Sequence, residues 1–377
     1  MFGIYLHIPF CEKACNYCDF HFSTSFKVKN QLLDCINKEL EIRNHELLGD
    51  VKTIYFGGGT PSVLSKNELV SILNQIKKNY SIANDVEITF ECNPEDLSEK
   101  KLNELKESGV NRLSIGIQSF DNSVLKWMNR AHTANKAIAC IDLAQKIGFK
   151  NISIDLIYGV PLFLNRNWKS DIEKAIQLNV QHISSYNLTK EKHTSLHNDV
   201  SKGKYLMPNQ EVCSDQYQHL IENLAKSGFN QYEVSNFSLK GFESKHNSSY
   251  WSSIAYLGIG PSAHSYDGEN IRRWNVSNNK KYIEGLVDNV DYFERETLAK
   301  FEMANEIILL GLRSDLGVSL KKIKSLLNDN QYQDFNKQVD LFKKKDLIKQ
   351  NKNKLLVDSK SRILADYIAR ELFILPE

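Results

Sequence analysis

Apolar positions in the first 190 residues gather in six short segments, and in three of these they alternate with polar ones at a period of two. The six are Ile4–Ile8, Thr53–Phe56, Val86–Glu91, Arg112–Gln118, Ile152–Tyr158 and His182–Leu188. All are rich in β-branched or aromatic side chains, and each predicts a strand. Between them run stretches with helical spacing, such as Asn30–Leu47, Asn67–Ile76 and Ala134–Ile147. Gly109 and Gly148 stand where helix C-caps belong. Strand–helix alternation predicts an α/β fold with a parallel sheet and right-handed crossovers.

The two faces of these strands differ. Val86, Ile88 and Phe90 share one face, and Glu87, Thr89 and Glu91 the other. Leu113, Ile115 and Ile117 likewise oppose Arg112, Ser114, Gly116 and Gln118, and Ile152 and Ile154 oppose Ser153 and Asp155. A sheet covered by helices on both sides would be apolar on both. The pattern predicts a curled sheet with helices outside and a wet or ligand-filled lumen. Chemistry in such barrels sits at the C-terminal strand ends, where Glu91, Gln118 and Asp155 fall.

Beyond residue 190 the alternation fades. The chain divides into a core, 1–190, a barrel-completing or linking region, 191–300, and a C-terminal unit, 301–377. The last has an apolar stretch Ala304–Leu312, a break at Gly317 and a helix candidate Leu320–Leu327. Leu347–Ile348 and Leu355–Val357 flank the polar turn Lys349–Lys354, and a final helix spans about Ser361–Leu372. This is the pattern of a small helical domain with a β-wing.

The chain has 377 residues, 41% apolar and 25% charged, with a formal net charge of +2. That balance excludes a globally basic nucleic-acid binder. No apolar run approaches the roughly 20 residues of a membrane span. Met1–Phe10 has no basic n-region and no cleavage pattern, so a cytoplasmic location is expected. Seven cysteines, an odd count, then suit thiols or metal ligands rather than disulfides.

Three of the seven fall within eight residues, as Cys11-x3-Cys15-x2-Cys18. Clustered thiolates select soft metals or iron–sulfur clusters. A [4Fe–4S] cube takes four cysteines. Here the place where a fourth might stand is Phe20, which leaves one iron open to a ligand. The rival is zinc, with His21 completing the set. Further on, Thr53–Phe56 runs into Gly57-Gly58-Gly59-Thr60-Pro61. Glycines at a strand end let a ligand approach the backbone, or simply form a turn.

Together these segments resemble the radical S-adenosylmethionine (SAM) proteins. The stretches Phe90–Pro94, Arg112–Phe120, Asn129–Thr133 and Ile154–Pro161 are similar to the oxygen-independent coproporphyrinogen III oxidase group. The resemblance runs from about Gly3 into the C-terminal domain. It implies a partial (β/α)6 barrel with a winged-helix-like C-terminal domain. It implies a [4Fe–4S] cluster on Cys11, Cys15 and Cys18, with SAM on the fourth iron. It assigns Tyr17 to the adenine, Gly58, Gly59 and Thr60 to the methionine moiety, and Tyr5 to the sulfonium region. Glu91, Gln118, Arg130 and Asp155 match the group's polar SAM contacts. The bland alternatives are a buried Arg130–Asp155 salt bridge and a helix-start contact for Glu91.

Within this group the oxidases carry a further cysteine where this chain has Phe20, and an N-terminal extension for which there is no room before Cys11. His246-Asn247-Ser248-Ser249-Tyr250-Trp251 resembles the haem-linked motif of the group's haem-chaperone branch. Histidine is a usual haem ligand; the alternative is a satisfied histidine in an aromatic core. His264, in Gly258–Ser265, is either a second haem ligand or part of the SAM wall. Lys321–Lys354 holds ten lysines against four aspartates. A solvated helix face is the usual meaning; contact with an acceptor or a membrane surface is the sharper one. The resulting expectation is a SAM- and cluster-dependent chaperone that passes haem to an acceptor haemoprotein and binds no nucleic acid. Decarboxylation of coproporphyrinogen III and a zinc-stabilised binding module are the alternatives.

Overall fold

The computed structural model describes residues 2–46 and 48–376. The strands β1 (Phe2–Ile8), β2 (Val51–Gly58), β3 (Ile82–Cys92), β4 (Arg112–Gln118), β5 (Ile152–Tyr158) and β6 (His182–Asn187) lie side by side in chain order, all parallel. Their connections carry α1 (Lys29–Ile42), α2 (Lys66–Asn79), α3 (Glu99–Glu107), the pair α4 (Asn122–Trp127) and α5 (Ala134–Ile147), and α6 (Trp168–Gln177). All six expected strands are present. The first helix ends at Ile42, short of the expected Leu47, which lies outside the described residues. Local chemistry sets the other ends. Ser65 and Glu68 form a reciprocal capping box on α2. Gly148 ends α5 with φ +95°, a conformation that glycine adopts without strain.

The apolar strand faces pack against these helices. Ile54, Phe56, Phe90, Leu113, Ile115 and Ile154 share one core with Leu32, Ile36, Leu69, Ile72 and Ile141. The opposite face is concave and polar, and it holds Thr53, Thr89, Arg112, Ser114, Ser153 and His182, all buried. The two-face alternation is therefore real.

The sheet is open and continues past both edges. On one side lie β7 (Asn230–Gln231) and β8 (Asn236–Ser238), with β8 antiparallel to β6. On the other, β9 (Tyr256–Ile259) pairs parallel with β1 and leads into antiparallel β10 (His264–Tyr266), β11 (Ile271–Asn275) and β12 (Phe293–Thr297). The result is one mixed sheet of twelve strands. These added strands have two to five residues each, too short for a legible period. Among them run α7 (Ser195–Ser201), α8 (Gln210–Lys226), α9 (Lys245–Trp251) and α10 (Asn279–Asp288).

The C-terminal region has its own core. Here α11 (Lys300–Arg313), α12 (Leu320–Leu326), α13 (Asp329–Lys344) and α14 (Ala365–Leu372) surround Ile308, Leu312, Phe335, Val339, Phe342 and Ile368. A three-stranded wing is made of β13 (Val318–Ser319), β14 (Lys349–Asn351) and β15 (Lys354–Leu356). The expected final helix starts as a 3-10 turn at Ser359–Leu364. The lysine-rich stretch includes exposed ion pairs such as Lys337–Asp334, in keeping with a solvated face.

A buried ionic knot ties the β9–β11 extension to the barrel. Glu39 of α1 is fully buried and Arg43 nearly so, and they pair at 3.0 Å. Glu39 also accepts from the Gly260 amide (2.9 Å), Asn275 Nδ2 (2.8 Å) and the Tyr282 hydroxyl (2.6 Å). Arg43 donates to the Gly258 carbonyl and to Ser265 Oγ. Arg43 also pairs with Glu46 at 2.7 Å, so removing Glu39 leaves the guanidinium one carboxylate and strands the buried Gly260, Asn275 and Tyr282 donors. Glu39→Ala is expected to destabilise the protein by about 3–5 kcal/mol, measured by urea unfolding. A loss under 1 kcal/mol would contradict this role.

Candidate functional site

The cysteine loop leaves β1 and returns beside it. Its ends are tied by Cys11 N–H to the Ser23 carbonyl (3.1 Å) and Ser23 N–H to the Pro9 carbonyl (2.9 Å). Its middle is held by the turn after α4. Asn16 Nδ2 donates to the Trp127 carbonyl at 2.6 Å, and Asn129 Nδ2 to the Ala14 carbonyl at 2.8 Å. The turn that holds the loop also carries Arg130.

One chain of hydrogen bonds links two of the thiols. Thr60 Oγ1 donates to Cys11 Sγ (3.2 Å), Asn93 Nδ2 to Thr60 Oγ1 (3.3 Å), Arg130 Nη2 to Asn93 Oδ1 (2.7 Å) and Arg130 Nη1 to Cys15 Sγ (3.4 Å). Arg130 Nη2 also reaches the Gly116 carbonyl at 2.7 Å, and Nε has no partner. Arg130 thus forms no salt bridge with Asp155. Asn93 joins the ends of β2, β3 and β4, a role the sequence did not single out. Its only signal was its place one residue past a strand end, in Phe90–Pro94.

Glycines make the close approach possible. A Cβ on Gly58 would lie 2.6 Å from the His7 ring, and one on Gly59 2.8 Å from the Ile8 carbonyl oxygen. The glycine run therefore serves close packing against the end of β1 as well as exposing backbone. β4 bulges after Gly116, and Gln118 has φ +69°. The bulge re-aims the strand end.

These residues border one cavity of about 430 Å³. The three cysteines and Tyr17 line it, as do Gly58, Gly59 and Thr60. So do Glu91, Gln118, Arg130 and Asp155. Glu91 accepts from the Tyr55 hydroxyl at 2.7 Å. Burial, with the nearby Asp155 charge adding to it, pushes the Glu91 carboxyl up to about 7. Burial pushes Asp155 up to about 6. Burial also raises Cys11 to about 11 and Cys18 to about 12. Cys11 and Cys18 are therefore protonated at neutral pH without a metal, and loading must release those protons.

Among the described residues, no three His, Cys, Asp or Glu side chains converge as they would on a single ion. A cube binds each cysteine through a different iron and calls for wider spacing. Zinc would need His21, whose Nε2 instead meets Asn279 Oδ1 at 2.7 Å. The donor set fits a cluster that supplies one-electron chemistry and an open iron site.

Two expected residues lie outside this cavity. Tyr5 sits behind it, its hydroxyl 3.2 Å from His7 Nδ1, and lines a second cavity. His246 is 1% exposed and lines neither. Its Nδ1 meets Thr53 Oγ1 at 2.7 Å and its Nε2 the Tyr250 hydroxyl at 2.8 Å. The ring stacks 5.0 Å from Tyr55. Both nitrogens are committed, so a haem iron cannot reach either in this structure; His246 is a satisfied core histidine. His264 is exposed and lines the second cavity, not the SAM wall.

A polar cavity at the C-terminal ends of a parallel sheet, with three cysteines at its mouth, defines a radical SAM protein. The radical SAM superfamily profile matches residues 5–178, and that of the HemN C-terminal domain residues 298–364. The chain is 39% identical over 323 residues to the heme chaperone HemW of Lactococcus lactis, covering 85% of this chain and 84% of that one. It is 38% identical over 328 residues to the heme chaperone HemW of Bacillus subtilis, covering 85% and 86%. A mitochondrial radical S-adenosyl methionine domain-containing protein 1 from Danio rerio is 30% identical over 84% of this chain and 74% of its own. The structure of coproporphyrinogen III oxidase (HemN) from Escherichia coli, a radical SAM enzyme, superposes with a TM-score of 0.83 at 23% identity. It covers 99% of this chain and 90% of that one, a likeness of fold. The chain belongs to the HemW family. Membership implies SAM and a [4Fe–4S] cluster. No helix among the described residues is long and apolar enough to cross a membrane.

The carboxylates allow a check. A buried acid whose folded pKa is raised costs stability above that pKa, and the cost vanishes below its unfolded value. Glu91→Gln is expected to stabilise the ligand-free protein at pH 8 by on the order of 1–3 kcal/mol. The gain should fade toward pH 4.5, as urea unfolding at both pH values would reveal. An equal effect at both would disprove the desolvation account.

Proposed function

We propose that this protein is a haem chaperone that binds haem and delivers it to an acceptor haemoprotein. In this reading Cys11, Cys15 and Cys18 hold a [4Fe–4S] cluster in the strand-end cavity, and SAM binds beside it. The observation that carries it is the 39% identity to a heme chaperone HemW over most of both chains. Phe20 in place of a further cysteine agrees with it. The likeness to the oxidase is one of fold alone.

Within the cavity, Arg130 is the cation for the SAM carboxylate, and Glu91 and Asp155 accept from its ammonium or ribose hydroxyls. Gly58, Gly59 and Thr60 follow the methionine moiety, Gln118 adds an amide, and Tyr17 covers the adenine. Residues 301–377, with their separate core, form a winged unit beside the barrel.

The thiol assignment predicts that Cys11→Ala, Cys15→Ala or Cys18→Ala abolishes iron loading and its visible absorbance. Cys35, Cys140 and Cys213 lie elsewhere, and Cys92, which borders the same cavity, turns its thiol to the Phe90 carbonyl; the Ala variants of all four should keep the cluster. Full iron in Cys15→Ala protein would defeat it. For SAM, losing one partner of a buried charged contact costs about 2–5 kcal/mol. Asp155→Ala should therefore weaken SAM at least tenfold by calorimetry with the cluster intact. The function itself is tested by anaerobic assay. Saturable haem binding without conversion of coproporphyrinogen III supports the chaperone, and robust decarboxylation overturns it.

A further inference from the structure

The second cavity, of about 530 Å³, lies between the cysteine loop, α9, strands β10 and β11 and helix α11. Its volume is within the range of about 300–1,000 Å³ of small-molecule sites. Asp19 and Phe20 line both cavities. Phe20 is 67% exposed, an aromatic ring with little protein cover at the wall between them. Tyr250, Tyr256 and Tyr266 add further aromatic wall.

Three histidines border this space, and they are not equivalent. His7 meets Tyr5 and the His21 carbonyl through its two ring nitrogens. His21 Nε2 is held by Asn279. His264 makes no side-chain hydrogen bond among the described residues, and its ring is steadied by stacking on Trp274 at 6.1 Å. Partial desolvation of the ring and the Arg272 charge lower its pKa, which favours the neutral imidazole that binds metals. Arg272 gives one nitrogen to Glu306 at 2.7 Å and keeps other donors for a carboxylate.

The geometry points to this cavity as the haem site, with His264 as the axial ligand, Phe20 and the tyrosines against the macrocycle, and Arg272 beside a propionate. Aromatic walls suit a flat ring, and its iron needs a nitrogen without another partner; this cavity offers both. The placement rests on the chaperone reading but moves the ligand from His246. Phe20 then touches both haem and the cluster chamber, in keeping with a site whose loading the cluster senses.

The test uses the full chain with its cluster reconstituted anaerobically. Ferric haem is titrated and followed by Soret difference spectra, with the haem signal separated by electron paramagnetic resonance. His264→Ala should weaken haem at least tenfold, and free imidazole should restore the low-spin signal in His264→Gly protein. Phe20→Asp, at an exposed position, should weaken haem at least fivefold and supplies the test should the histidine variants fail to fold. Wild-type affinity in either His264→Ala or Phe20→Asp would overturn the site and leave the chaperone standing. So would loss of haem in His246→Gln with full binding in His264→Ala. No saturable binding by the wild type would overturn both.

Discussion

The site depends on Arg130 more than on any other residue. Its guanidinium is buried at the junction of three strand ends and the cysteine loop, bonded to Cys15 Sγ, Asn93 Oδ1 and the Gly116 carbonyl. None of these is a carboxylate. A buried cation without an anionic partner is costly, and one of its nitrogens has no partner at all. The arrangement is complete only with negative charge in the cavity, which deprotonated thiols and a bound carboxylate would both supply. The turn bearing Arg130 also grips Ala14 and Asn16 of the loop. Cation and thiols therefore move as one unit.

Such a site takes stability from the fold. Glu91 and Asp155 are desolvated near one another, and the concave face holds polar atoms without partners, among them Thr89 Oγ1 and Arg112 Nη1. Stability comes from elsewhere: the apolar layer between sheet and helices, and the Glu39–Arg43 knot. The knot differs from the site in that both of its charges are paired. Glu39 and Arg43 bond each other and six further groups, Glu46 among them, so the ions gain in hydrogen bonding what they lose in hydration. A polar cluster that lacks partners awaits a ligand, whereas one that is complete is a fastener.

Much of this was legible in the chain. Runs of β-branched and aromatic residues located six strands, and in three of them alternation showed two faces, whose polar side marked Glu91, Gln118 and Asp155. The cysteine spacing marked the cavity mouth. Other parts were hidden for physical reasons. Glu39 lies on an amphipathic helix, where a glutamate ordinarily reads as solvent-facing; only chain more than 200 residues away buries it. Strands β7 to β12 are too short for periodicity and form because the sheet edges offer unpaired backbone. The motif around His246 names a residue without all its partners. Thr53 and Tyr250 occupy both its nitrogens; the Tyr250 bond fits the i,i+4 spacing of a helix, whereas Thr53 lies 193 residues away.

The position of Phe20 connects these observations. A cysteine there would place a fourth thiol at the end of the cluster loop, on the wall shared by the two cavities. Phenylalanine removes the thiol and exposes an apolar face to the second cavity. It leaves the hydrogen bonds from Thr60 to Cys11 and from Arg130 to Cys15 untouched, because they approach from the barrel side. One residue can thus change what lies beside the cluster without changing how the cluster is held.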